Sequence, residues 1–124
     1  MSRPLKVLIS DDSLLVRRKL RDELEMLGCQ VIEAKDGREA VEAYAAHRPD
    51  GVFMDIVMPN SGGLSALKEI REIDNKARII MLSSTGTAAN LLEALKLGAI
   101  DFIQKPFNSS QLAKALHDFS REEC

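Results

Sequence analysis

Five positions carry side chains that could act together: the adjacent carboxylates Asp11 and Asp12, the carboxylate Asp55, the hydroxyl of Ser83 (with Ser84 beside it) and the ammonium of Lys105. Asp55 is the oddest of them. It closes the run Gly51-Val52-Phe53-Met54-Asp55, and apolar residues continue past it through Ile56-Val57-Met58 to Pro59. An ionised carboxylate buried without partners is strongly unfavourable, so something nearby must compensate it. Three carboxylates brought within ~4 Å repel by about 4 kcal/mol per pair at an effective dielectric of about 20. A divalent cation among them relieves that cost. Oxygen-only ligands with room for water suit Mg²⁺ better than zinc. Such a cation is also a phosphate receptor, and Ser83 and Lys105 would add a hydrogen bond and a positive charge to the same phosphoryl oxygens. One carboxylate is then a candidate nucleophile for an aspartyl-phosphate. Asp55 fits that role because it stands apart from the Asp11-Asp12 pair.

Each residue alone has a plainer reading. Asp11 or Asp12 can be a helix N-cap, Asp55 turn chemistry, Ser83 a core hydroxyl and Lys105 a solvated lysine ahead of a helix opened by Pro106. The joint pattern carries weight only if the fold brings the five together. The chain predicts that it does. Short β-branched or apolar runs at 6–10, 30–34, 51–55, 77–82 and 100–104 read as strands. Between and after them lie helical spacings: Leu15, Val16, Leu20, Leu24 and Leu27; Ala40, Val41, Tyr44 and Ala45; Leu64, Leu67, Ile70 and Ile73; Leu91, Leu92, Leu95 and Leu97; Leu112, Leu116 and Phe119. Gly28 and Gly98 close two helices and Pro49 stops a third, while Asn108-Ser109-Ser110 caps the last. Strands alternating with helices argue for an α/β domain with a parallel sheet covered on both faces. Right-handed crossovers put every strand's C-terminal end on one edge, where open α/β sheets bind ligands. All five candidate residues directly follow, or end, a strand.

Bulk properties narrow the alternatives. A chain of 124 residues fits one domain over 1–124, and 45% hydrophobic residues supply a core. A formal net charge of −2 with 29% charged residues offers no basic footprint, so no direct nucleic-acid contact is expected. No segment is apolar for long enough to span a membrane or to serve as a signal peptide. Cys29 and Cys124 have no metal-type spacing and read as free thiols of a cytoplasmic protein. A nucleotide-binding glycine loop is absent after the first strand.

Asp11-Asp12, Met54-Asp55-Ile56-Val57-Met58-Pro59, Ser83-Ser84, Gly98-Ala99 and Lys105-Pro106-Phe107 together resemble the receiver domain of two-component response regulators. The resemblance spans the whole chain. It is strongest to single-domain chemotaxis regulators and to the receiver of chemotaxis methylesterases, notably over Leu92 to Phe102. It implies a flavodoxin-like five-stranded sheet of order 2-1-3-4-5. It implies phosphorylation of Asp55 by a sensor histidine kinase or a small phosphodonor. Asp12, Asp55 and the backbone carbonyl of Val57 would hold Mg²⁺, with Asp11 acting largely through water. Ser83 would be the switch hydroxyl, Lys105 the phosphoryl partner, Pro106 the residue after a cis peptide bond and Phe102 the switch aromatic.

From that resemblance follow further expectations. The kinase would dock at Ser13, Leu14 and Leu15 beside Pro106-Phe107. Phosphorylation would remodel a partner surface of Asn90, Glu93, Ala94, Phe102 and Gln111, read by a downstream protein target. The chain would be no enzyme beyond self-phosphorylation and autodephosphorylation, and a monomer or weak phosphorylation-dependent dimer. Phe102 lacks a hydroxyl, which rules out a rotamer-dependent hydrogen bond at that position. Ser84 is bulkier than the alanine often found there and would narrow solvent access to the phosphate, and Val57 cannot position an attacking water, so phosphate loss should be slow to moderate. One alternative is a receiver cut from a regulator with a methylesterase or DNA-binding output domain. A remoter one is a small Mg²⁺-dependent phosphatase, which would need a carboxylate where Val57 stands.

Overall fold

A computed structural model describes residues 3–58, 62–84 and 88–120. Pro59, Thr85-Gly86 and Cys124 lie outside them. Five strands and five helices alternate: β1 (Lys6–Ser10), α1 (Leu14–Met26), β2 (Gln30–Ala34), α2 (Gly37–His47), β3 (Gly51–Asp55), α3 (Gly63–Ile73), β4 (Ile79–Ser83), α4 (Ala88–Lys96), β5 (Asp101–Gln104) and α5 (Ser109–Ser120). The strands form one parallel sheet in the order β2-β1-β3-β4-β5. The first three strands have their predicted bounds. β4 starts at Ile79 rather than 77, because Ala77 is still in the turn, its N–H donating to Asp74 O at 3.0 Å. β5 starts at Asp101 rather than Ile100.

Side-chain alternation along each strand sorts the core into two layers. Leu8, Val52, Met54, Ile79 and Met81 face α2, α3 and α4, packing on Tyr44, Leu67, Ile70 and Ala94. Val7, Ile9, Phe53, Ile80 and Leu82 face α1 and α5, packing on Leu20, Leu24, Leu112, Leu116 and Phe119. The central strands β3 and β4 are buried throughout, as strands covered on both faces must be.

Four of the five helical stripes lose expected members to the surface: Leu27 after α1, Ala45 in α2 and Ile73 in α3 are exposed, and α1 and α4 depart further. In α1, Leu15 is exposed with Leu14, and the inward stripe is Val16, Leu20 and Leu24. In α4 the inward stripe is Leu91, Ala94 and Leu97, leaving Leu92 and Leu95 outside. Ala94, expected on the partner surface, is therefore a core residue, 2% exposed. With Leu91 and Leu97 spaced three residues either side of it, one helical face cannot turn Ala94 outward as well.

Candidate functional site

Three carboxylates and one ammonium meet at the C-terminal edge of the sheet. Asp55 ends β3 and Asp11-Asp12 follow β1, its paired neighbour. One carboxylate oxygen from each of Asp11, Asp12 and Asp55 lies within 4.8 Å of the others. Lys105, in the turn after β5, reaches across β4 to this group. Its Nζ stands 2.7 Å from Asp11 Oδ2 and 3.5 Å from Asp55 Oδ2. The Lys105–Pro106 peptide bond is cis, as the motif implies. The Lys105 N–H donates to Ser83 O at 2.8 Å, tying the Lys105 turn to the end of β4. Ser83 is buried at that edge and Ser84 is exposed.

The electrostatics of the four groups are unbalanced, since one ammonium faces three carboxylates. Asp55 is only 7% exposed. Burial, then the charge of Asp11, pushes its carboxyl above the ordinary carboxylate range; Lys105 and the Val57 N–H pull the other way without prevailing. Burial opposes the charge on Lys105, but its hydrogen bond to Asp11 and the charges of Asp11 and Asp55 hold the ammonium above its usual value. The donor set fits a hard divalent cation: it is all oxygen, carries excess negative charge and is open to water on the side of exposed Asp12.

The surrounding backbone fixes these groups. Ser13 caps α1, its Oγ accepting from Val16 N, and its own N–H donates to Asp11 Oδ1 at 2.9 Å. Val57 follows Asp55 with its side chain 73% exposed at the mouth of the site. Met58 is pinned by its sulfur, which accepts from Ser10 Oγ at 3.2 Å. The chain returns at Gly63, whose N–H donates to Ile56 O at 2.9 Å. A Cβ on Gly63 would collide with the Asp55 carbonyl oxygen, so only glycine lets α3 start this close to β3.

Sequence reasoning missed Ser10, Met58, Gly63 and Arg17. Gly62-Gly63 ahead of a helical stripe was the available signal for close packing. Nothing in the spacing marks the Ser10 hydroxyl as a partner for a methionine sulfur. Arg17 donates from Nη1 to Asp11 O at 2.7 Å; its place in the first turns of α1, where side chains lean back toward the N-terminus, was the clue.

The expected outer residues fall into two groups. Asn90, Glu93 and Phe102 lie on α4 and β5, with Phe102 38% exposed. Gln111 is committed to helix capping, exchanging hydrogen bonds of 2.9 Å with Asn108 in both directions. Ser13 caps α1 and bonds to Asp11, and Leu14 and Leu15 open the helix exposed, whereas the Phe107 ring is buried with the Lys19 ammonium 5.3 Å from its centroid.

Comparison with known proteins gives the same picture. Residues 7–117 match the family described as the response regulator receiver domain. The chain is 47% identical to the chemotaxis protein CheY of Thermotoga maritima over 94% of its own length and 98% of that protein. It is 44% identical to the CheY of Bacillus subtilis, over 90% and 94%. Among solved structures, a CheX-CheY-BeF3-Mg²⁺ complex from Borrelia burgdorferi superimposes with a TM-score of 0.90 at 34% identity, covering 97% of this chain and 92% of that one. A five-stranded sheet of order 2-1-3-4-5, an acidic strand-end cluster and a matching family thus agree: the chain belongs to the response regulator receiver domains, phosphorylation-accepting signalling switches.

Proposed function

We propose that Asp55 is the phosphoryl acceptor of this receiver, that Mg²⁺ is its cofactor, and that the chain serves a chemotaxis pathway. The observation that carries the proposal is the single Lys105 ammonium bridging Asp11 and Asp55 beside Asp12. Asp12, Asp55 and the Val57 carbonyl would hold Mg²⁺, with Asp11 acting through water. Bound there, the ion supplies positive charge against the phosphoryl oxygens. An Asp55 oxygen forms the new bond to phosphorus while the P–N bond of a kinase phosphohistidine breaks and its electron pair leaves with the imidazole. Lys105 and Ser83 bind the transferred phosphoryl oxygens. No other turnover is required of the chain, whose enzymology is limited to its own phosphorylation and dephosphorylation.

The readout follows from added charge. A phosphoryl group brings about −1.5 to −2 charge to the strand edge. The Ser83 hydroxyl moves toward it and Phe102 turns inward, changing the face of α4, β5 and α5. Asn90, Glu93, Phe102 and Gln111 lie along that face; Ala94 supports it from beneath. A sensor histidine kinase meets exposed Leu14 and Leu15 at Ser13, and a downstream protein reads the α4–β5–α5 face. No helix among the described residues is long and apolar enough to cross a membrane. The chain works in the cytoplasm as a monomer or a weak phosphorylation-dependent dimer. Titration with Mg²⁺ and beryllofluoride, followed by NMR, tests this reading. Asp55, Ser83, Lys105 and the Phe102 ring should shift together. Shifts that spare Phe102, or none at all, contradict it.

A further inference from the structure

Asp12 is the most exposed member of the acidic cluster, and among the described residues no hydrogen bond or ion pair holds its side chain. Its position therefore depends on its backbone. The peptide unit that enters Asp12 is planar and includes the carbonyl of Asp11. That carbonyl oxygen accepts from Arg17 Nη1 at 2.7 Å. Arg17 is itself largely buried, and its Nε donates to Glu33 Oε1 at 3.1 Å. Glu33 lies in β2 and is held a second time by Arg21, at 2.6 Å. A strut thus runs from the edge strand through Arg17 to the peptide plane that carries Asp12.

We infer that Arg17 is a positioning residue for Mg²⁺ binding: it fixes the Asp11–Asp12 peptide plane so that the otherwise unsupported Asp12 carboxylate faces Asp55. The inference rests on the Mg²⁺ site proposed above. It has an unusual signature. Arg17 is a cation near an anionic pocket, so if its charge alone mattered, removing it would tighten cation binding. If it positions Asp12, removing it weakens binding. The two roles have opposite signs.

Calorimetric titration of the full chain with Mg²⁺ alone, without phosphodonor, separates them, with thermal melting recorded alongside. Arg17→Met keeps much of the packing but loses charge and donors. It should weaken Mg²⁺ binding about tenfold, the lower end of what loss of a ligand-orienting partner costs. Arg17→Lys keeps the charge but cannot span Asp11 and Glu33 together, and should bind with intermediate affinity. Arg21→Met removes the same charge and the other Glu33 partner without touching Asp11. It should lower the melting temperature yet bind Mg²⁺ as wild type does, or slightly tighter. Arg17→Met binding as tightly as wild type or tighter overturns the inference, as does an equal loss in Arg21→Met. If Arg17→Met does not fold, Arg17→Lys decides: wild-type affinity there overturns it. A wild-type chain that binds no Mg²⁺ fails the underlying site instead.

Discussion

The backbone of Gly63 rests against the carbonyl oxygen of Asp55 with no space for a side chain between them. The start of α3 is thereby locked to the end of β3, and the Gly63 N–H completes the lock by donating to Ile56 O. Gly63→Ala gains helix propensity but forces α3 away from the strand that carries Asp55. Such overpacking should cost about 1–3 kcal/mol, read as a lower urea midpoint, and phosphoryl uptake should slow with it. An alanine variant as stable and as fast as wild type contradicts this relationship.

Asp55 sets a pH dependence whose sign can be worked out. Its carboxyl titrates above the ordinary range in the folded state, through burial and the charge of Asp11. The native chain therefore binds that proton more tightly than the unfolded chain. Stability falls as pH rises from the ordinary carboxylate value through the raised one, and the penalty persists at neutral pH. Without divalent cation, Asp55→Asn should be more stable than wild type at pH 7 and should lose this advantage in acid. Mg²⁺ should shrink the difference by stabilising wild type. Equal stabilities at pH 7 in chelator would refute it.

Val57 projects an apolar side chain into solvent beside Asp55. It has no atom with which to orient a water for attack on an aspartyl-phosphate. Val57→Asn supplies one and should shorten the phosphoryl half-life several-fold, below the roughly 10²–10⁴-fold of general acid–base catalysis because an amide orients the water without taking its proton. The decay of labelled phosphoprotein after removal of the donor measures it. Unchanged decay would argue against water positioning at this residue.

Tyr44 supports the fold far from the chemistry. Its hydroxyl donates to Asp74 Oδ2 at 2.9 Å, joining α2 to the residue that ends α3 at the opposite edge of the sheet. Burial, then the hydrogen bond to Asp74, pushes the phenol well above its usual value, so it stays neutral. Tyr44→Phe should cost about 1 kcal/mol by urea unfolding and leave phosphoryl uptake at the wild-type rate. A fall in uptake without loss of stability would contradict the separation of the two edges.

Much of this arrangement was readable from the chain. Strands β1 to β3 and the edge that gathers Asp11, Asp12, Asp55, Ser83 and Lys105 follow from period and crossover handedness, which depend on backbone geometry alone. The α4 stripe did not follow, because four leucines in seven residues offer more than one apolar face. Only packing against β4 and α3 selects Leu91, Ala94 and Leu97. The supports of the site were equally hidden. Ser10 to Met58 and Arg17 to Asp11 span 48 and 6 residues and depend on where individual side chains point. Periodicity carries no such information.

The most direct measurement is the intact mass of the chain after incubation with Mg²⁺ and acetyl phosphate, for wild type and Asp55→Asn in parallel. The wild type should gain the mass of one phosphoryl group, lose it on standing, and gain none in chelator, while Asp55→Asn stays unmodified throughout. An unchanged wild-type mass, or a variant that takes up phosphate as readily, would contradict the assignment of Asp55 as the acceptor.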